Sequence, residues 1–500
     1  MRLEEKLAAM EKSREAYWLR YPSTSPIKLR WRALTVRHSF HILPGERVLE
    51  LGAGSGLWTA HLNDVLRGEN AITAAVFNKD LIPESSPSGV DYVHVNSLQK
   101  DLPEGSFDYV IGTAILCHDG YEENLRAIYR LLRLGGQLLF FEANYWNPQV
   151  ALKNAIPWLG RKWGNADCQI GLRKYHLMKL ASKHGFTDID VIPYDIVHPR
   201  TPRSMVHAVQ SAAFVAEHAP VLRELCGTLY IRSKKPGGRS RACVDLTQHE
   251  SLFGRVSFVV PCHNEAPNIP SLVENITGFY GRYVHEILLV NDCSTDDTAE
   301  VARTAAEREP RVKVLNRKAP NGVGLALRDG YQAATGRYIL TMDCDFEQIL
   351  PEFRDLFDAV ATGKDGAIGS RFSHESLLIN YPFFKILCNR GFHVIANALL
   401  PHKVRDISNN LKLYRAEILK EITIEQNHFA ANVETGLKPL LAGYDIVEVP
   451  ISWINRTFDM GRSNFRLLNV APNYLQALTR LVLKRGQPRG VAAATGVASQ

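Results

Sequence analysis

Asp343 and Asp345, separated by one cysteine, have the spacing best suited to metal chemistry in this chain. They follow RYILTM at 337–342, an apolar run that reads as a buried strand, so both carboxylates emerge at a strand's C-terminal end. Past that end the backbone can turn both toward one point. Two hard oxygen ligands there suit Mg2+ or Mn2+ carrying a diphosphate, because such ions complete their shell with substrate phosphates and water. An isolated Asp-x-Asp in a loop is more often solvated charge, so the surrounding elements decide its meaning.

Those elements are regular. Val256–Val260 is a strand ending at Pro261 and a polar turn that reaches Glu265. A second strand, Glu286–Val290, leads to Asn291 and Asp292 and then to Ser, Thr and Asp residues suited to cap a helix. A third, Val312–Leu315, precedes the glycine-containing turn and helix start NGVGLA at 321–326. Polar clusters therefore collect at the C-terminal edge of a parallel sheet, where open α/β folds bind ligands.

This order resembles the family 2 inverting glycosyltransferases of GT-A fold, and within them the dolichol-phosphate mannose synthase-like enzymes. The matching stretches are 261–265, 291–296, the Asp343–Asp345 pair, GSRF at 369–372, DISNNLKLYR at 406–415, GYDIVEVPI at 443–451, and Arg456 with GRSN at 461–464. The resemblance implies a metal on Asp345, with Asp343 and Glu347 nearby. It also implies a nucleotide-sugar donor held by Pro261, Glu265 and Asp292, and Ser463 in a substrate-binding motif. The implied chemistry is in-line displacement at the sugar's anomeric carbon. A polyprenyl phosphate acceptor arrives ionised, with Arg371, Lys385, Arg390 and Arg456 as its candidate partners. A saccharide or protein hydroxyl needs a general base, for which Asp406 and Glu434 are the candidates. The chain departs from the pattern at Asn291, at Asn409-Asn410 and at Asn464, which leaves the acceptor open.

The first half carries a second set. Arg47–Leu51 reads as a strand, GAGSG at 52–56 as a tight turn and Leu57 onward as a helix. Glycines at 52, 54 and 56 allow close approach of a ligand, and a helix start favours partial negative charge. Glu50 beside that turn would repel a pyrophosphate and suits a cationic or amine-bearing ligand. VLELGAGSG at 48–56, GSFDYVI at 105–111 and LLRLGGQLLFFE at 131–142 resemble class I S-adenosylmethionine-dependent methyltransferases. The resemblance implies S-adenosyl-L-methionine on Glu50, Gly52, Gly54 and Gly56. Asn78 and Asn96 stand where the family usually has acidic residues for the ribose and adenine; uncharged contacts there are weaker. An active methyltransferase, a weakened one and a non-catalytic scaffold all remain open. His118, Glu142 and Tyr145 lie near strand ends facing the cradle, as candidate bases or as packing residues.

The fold expected is α/β in two domains: a Rossmann-like class I methyltransferase fold, then a GT-A fold with a mostly parallel sheet. The expected division is a helical extension at 1–43 with Trp18, Tyr21 and Trp31 as docking residues, a first domain at 44–232, a linker at 233–253, a second domain at 254–485 and a disordered tail at 486–500. Five hundred residues with 45% hydrophobic and 22% charged content fit a globular, multidomain protein. A formal charge of +7 with scattered basic residues is compatible with anionic ligands or a membrane surface and is no nucleic-acid signature. Eight dispersed cysteines suggest neither a zinc site nor a disulfide framework. Without a secretory signal or an apolar run of about 20 residues, the expectation is a cytoplasmic protein, with a peripheral place at the inner membrane face if the acceptor is a lipid. The segment 473–485 reads either as a short interfacial helix with a basic end or as a helix packed on the domain. The sugar, the base, the methyl acceptor and the oligomeric state are not encoded in any readable motif.

Overall fold

The computed structural model describes residues 3–118, 120–162, 169–238, 243–373, 375–379, 381–454 and 467–485. Two compact units result: 1–244 with 374–383 and 451–453, and 245–373 with 384–450 and 454–500.

The first unit is built on a seven-stranded sheet of β1 (Val48–Leu51), β2 (Ile72–Val76), β3 (Val90–His94), β4 (Phe107–Thr113), β5 (Leu132–Ala143), β6 (Thr187–Tyr194) and β7 (Thr228–Lys234). Its order is β3-β2-β1-β4-β5-β7-β6. The five strands β3 to β5 in that order are parallel, while β7 runs antiparallel between β5 and β6. Central strands such as β4 are buried on both faces, which is why FDYVIGT reads as a nearly continuous apolar run. Ser233 and Lys234, expected in the linker, close β7 instead, and the Lys235 N–H still donates to Gly136 O at 2.8 Å.

Two helices precede the sheet, α1 (Leu3–Arg20) and α2 (Ser25–Phe40). Alternation along the strands splits the core into two faces. Leu7 and Met10 of α1 join the face that holds Leu49, Leu51 and Phe77, whereas Trp18 joins the opposite face with Val48, Ala74 and Val76. The helix α1 therefore crosses from one face to the other. Trp31 stacks on Tyr194 at 4.3 Å, and Tyr21 meets Tyr17 edge-on at 5.4 Å.

The second unit holds another seven-stranded sheet: β8 (Val256–Cys262), β9 (Val284–Asn291), β10 (Val312–Asn316), β11 (Tyr338–Thr341), β12 (Gly366–Ser370), β14 (Lys412–Arg415) and β15 (Ile446–Pro450). The two-residue strands β13 (Leu378–Ile379) and β16 (Trp453–Ile454) lie outside both large sheets. The order is β10-β9-β8-β11-β14-β12-β15. All pairings are parallel except those of β14, which runs antiparallel to both neighbours. β14 thus carries the chain back into the middle of the sheet and leaves the loop before it, 405–411, beside the end of β11.

The helix Leu467–Arg485 packs on this unit through Ala477, Leu478 and Leu481, which share a core with Phe392, Val433 and Leu437. Among the described residues no helix is long and apolar enough to cross a membrane.

Candidate functional site

The second sheet gathers its polar loops at one edge. Asp343 and Asp345 follow β11, and Asp345 stands at the N-terminus of the 3-10 turn Phe346–Phe353. Both are half-buried. Asp343 Oδ1 accepts a 2.7 Å hydrogen bond from Asn410 Nδ2. Asn410, one of the asparagines that depart from the family pattern, thereby fixes one carboxylate of the pair. Among the described residues no three ligand-type side chains converge. The side chain of Glu347, like Arg456 and Ser463, lies outside the described residues.

The loops after β8 and β9 are tied to each other. His263 bonds Asp292 O at 2.8 Å, Asn264 Oδ1 accepts from Thr295 N–H at 2.8 Å, and Glu265 N–H donates to Thr298 Oγ1 at 2.9 Å. Glu265 Oε2 accepts from Asn268 Nδ2 at 2.5 Å. Pro261, in β8, is half-buried at the base of this turn. Asp292 is buried and pairs with Arg317, while its Oδ2 accepts from Gly322 N–H at 2.7 Å. Arg317 in turn holds Asp329 at 2.6 Å. Here Asp292 organises the neighbouring loop, and Arg317, absent from the sequence reading, is the group that orients it.

A third cluster forms around Asp406. The carboxylate is fully buried and takes a bidentate pair from Arg371, Nε at 2.7 Å and Nη2 at 2.9 Å, plus the Arg371 N–H at 3.0 Å. Burial works to raise its pKa, but the charge and hydrogen bonds of Arg371 overcome it and hold the carboxyl below the usual range. Its loop is anchored by Glu448, which accepts from Arg405 and Asp406 N–H, and by His393 Nε2, which accepts from Ile407 N–H at 3.1 Å. Burial lowers the His393 pKa to about 4, so the ring is neutral and can accept. Lys385 lies near Arg371, and burial followed by that neighbouring charge lowers its pKa. Arg390 Nη1 is buried with no hydrogen-bond partner. Three cationic side chains, Arg371, Lys385 and Arg390, thus surround one loop. Glu434 sits elsewhere: it accepts from Glu425 and Gln426 N–H, both at 2.8 Å, and pairs with Lys438 at 2.8 Å. Its carboxylate is spoken for by the chain itself, so the arrangement does not present it as a base.

In the first sheet, Gly52, Gly54 and Gly56 after β1 adopt φ of +71°, +57° and +83°, a region that glycine enters without strain. Glu50 is buried beneath this turn, and one of its oxygens lacks a hydrogen-bond partner. Burial raises its pKa to about 7, with Thr59 and Arg14 pulling the other way. An orphaned carboxylate oxygen under a glycine cradle fits an amine-bearing ligand. Glu142 is equally buried and accepts from Ile115 N–H, Leu116 N–H and Cys117 Sγ, while His118 bonds Asn124 at 2.9 Å; both are engaged within the fold. Tyr145 is half-buried under the Arg173 guanidinium. Asn78 follows β2 at the cradle's rim, whereas Asn96 is exposed. The cradle's other partners come from α1, and the sequence reading did not include them. Arg14 donates to Gly52 O and Thr113 O, Glu11 accepts from three backbone N–H groups, and Glu15 accepts from Ser55. Their only sequence signal is the spacing i, i+3, i+4, which puts all three on one helix face.

Residues 257–423 match the model of glycosyl transferase family 2, and residues 25–155 match the ubiE/COQ5 methyltransferase family. A dolichol-phosphate mannosyltransferase of Pyrococcus furiosus is 28% identical over 236 residues, 47% of this chain and 65% of that protein. A polyprenol monophosphomannose synthase of Mycolicibacterium smegmatis is 29% identical over 227 residues, 42% of this chain and 83% of that protein. A solved S-adenosylmethionine-dependent methyltransferase of Thermotoga maritima, described as a possible histamine N-methyltransferase, aligns over 47% of this chain and all of its own, with 17% identity and a TM-score of 0.33. The chain joins a ubiE/COQ5-type methyltransferase domain to a family 2 glycosyltransferase domain resembling polyprenyl-phosphate mannosyltransferases, and it is a transferase.

Proposed function

We propose that the second domain transfers a sugar, with inversion, from a nucleotide-sugar donor to the phosphate of a polyprenyl carrier, and that the first domain transfers a methyl group from S-adenosylmethionine to a product of the same assembly route. The observation that carries the acceptor reading is the two-sided helix Phe383–Leu399. Its inner face supplies Asn389, which donates to Ser408 Oγ at 3.0 Å, and His393, so it braces the Asp406 loop that reaches Asp343 through Asn410. Its outer face exposes Phe384, Leu387, Val394, Ile395 and Leu399, with Val394 65% exposed. A row of large apolar side chains at helical spacing is an unusual surface for water and a natural one for lipid.

In this reading Arg371, Lys385 and Arg390 receive the acceptor phosphate, whose oxygen is already ionised and attacks the anomeric carbon without a general base. The bond from that carbon to the donor's diphosphate breaks as the new one forms. Asp343 and Asp345 would hold Mg2+ or Mn2+, which offsets charge on the departing diphosphate. Glu265 lies at the donor side, and Asp292 shapes that side through Arg317. Arg456, Ser463 and Glu347 keep the roles that motif position suggests. A hydroxyl acceptor would need a base, and the carboxylates proposed for it are both held in ion pairs.

In the first domain, Gly52, Gly54 and Glu50 would hold the methionine part of S-adenosylmethionine, whose sulfonium supplies the methyl group. Asn78 sits on the ribose side.

The test is incubation of the whole protein with a panel of radiolabelled nucleotide sugars, Mn2+ and detergent-dispersed polyprenyl phosphate. One donor should give a labelled lipid that survives mild base and yields free sugar in mild acid. Transfer to saccharide acceptors in place of the lipid would reject the carrier reading.

A further inference from the structure

We propose that α1 is a built-in lid that fills the methyltransferase cradle in the manner of a ligand, so that its docking and S-adenosylmethionine binding exclude each other. The inference rests on reading the cradle as the cofactor's site.

The cradle formed by the glycine turn after β1 and the ends of β2 and β4 offers acceptors at Gly52 O and Thr113 O and donors at Gly54, Phe77 and Asn78 N–H. Each of these is already matched by α1. The Arg14 guanidinium donates to both carbonyls. Glu11 Oε1 accepts from Gly54 N–H at 3.0 Å, and Oε2 accepts from Phe77 N–H at 3.0 Å and Asn78 N–H at 2.6 Å. Glu15 bonds the Ser55 hydroxyl. The space that glycine leaves open above Gly52 is taken by Arg14, and that above Gly54 by Glu15 and Glu11.

The match is chemical as well as steric. Arg14 places a cation among the carboxylates of Glu11, Glu50, Glu15 and Glu142, and Glu11 places a carboxylate on a set of backbone donors. A zwitterionic cofactor with a cationic centre would claim the same two kinds of contact. Both cannot be satisfied at once, since a backbone N–H has one hydrogen to give. The lid is also anchored at both ends: Leu7 and Met10 are buried in one face of the sheet's core and Trp18 in the other. Opening must therefore release the middle of α1, and the apparent affinity for cofactor is reduced by the fraction of molecules in which it is open.

The experiment uses the full chain and S-adenosylhomocysteine as probe, with calorimetry for affinity and amide hydrogen exchange for the helix. For the wild type, saturating probe should protect residues 52–56 and speed exchange at 7–17. The E11A/R14A variant should bind about tenfold more tightly or better, as expected when a lid closed in at least nine molecules of ten is loosened. Lys12→Ala, on the exposed face, should match the wild type. The lid is overturned if the probe protects 7–17 along with 52–56, or if the variant binds no better than Lys12→Ala. The wild-type exchange experiment decides the matter even if the double variant does not fold. Absence of binding by wild type and variant at millimolar probe would overturn the cofactor reading itself, a result distinct from binding with α1 still docked.

Discussion

At the scale of single residues, the buried charges separate groups that hold the fold from groups open to chemistry. Asp345→Asn keeps the shape of the side chain and removes a metal ligand, so sugar transfer should fall by more than 100-fold, about 3 kcal/mol of transition-state stabilisation. Its melting temperature should stay within a degree or so of wild type. Retained turnover in a radiolabel transfer assay would reject the metal role. Arg371→Ala is expected to lower stability in addition to weakening transfer, because it strands the fully buried Asp406 without its bidentate partner. Breaking one side of such a pair typically costs about 3–5 kcal/mol, readable in urea unfolding, and the double variant R371A/D406N should recover part of the loss. Asp343, Asp345 and Glu265 were legible in the sequence because strand ends and turn residues mark themselves. Arg14, Arg317 and Asn410 were not, since the partners that fix them lie 12 to 99 positions away and no local pattern encodes such a pairing.

At the scale of elements, the helix Phe383–Leu399 and the helix α1 determine how each sheet edge is used. The segment 473–485 was open to two readings, an interfacial helix or one packed on the domain, and it turns Ala477, Leu478 and Leu481 into the core. The exposed apolar face belongs instead to 384–399. Leu387→Glu with Val394→Glu should leave the melting temperature unchanged, as both side chains are solvent-facing, and should abolish co-flotation with vesicles containing anionic lipid. Transfer to a short-chain, water-soluble polyprenyl phosphate should persist at near wild-type rate. Loss of that activity as well would mean that the face serves the catalytic unit directly. Which side of each helix meets the core depends on where β14 and Glu434's helix, Ala431–Ala442, end up, and that is a tertiary matter.

At the scale of the whole molecule, Glu50 and Glu142 of the first unit and His393 of the second are buried titratable groups of opposite sense. Burial raises Glu50 and Glu142 to about 7, so the first unit binds extra protons when folded. Their contribution is complete below the ordinary value of 4.5 and is lost as pH rises toward 7. His393 is lowered to about 4 from 6.5, so its unfolded form takes up the proton first, and its contribution to the second unit is lost as pH falls from 6.5 to 4. Amide exchange between pH 4.5 and 6.5, corrected for intrinsic rates, should therefore show protection of 48–51 and 138–143 weakening with rising pH and that of 405–411 strengthening. Parallel trends in both would contradict the assignment. The succession of strands and helices along the chain, the two α/β domains, the glycine cradle and the Asp343–Asp345 pair were all set by local sequence, because apolar runs, turn residues and helix caps act over a few positions. The tertiary structure alone decided which side chains meet: that an N-terminal helix supplies charges to the cradle, that Asp406 belongs to Arg371, and that one helix turns an apolar face outward. Such contacts arise when distant segments are brought together by burying a shared core, and their geometry exists only once that core has formed.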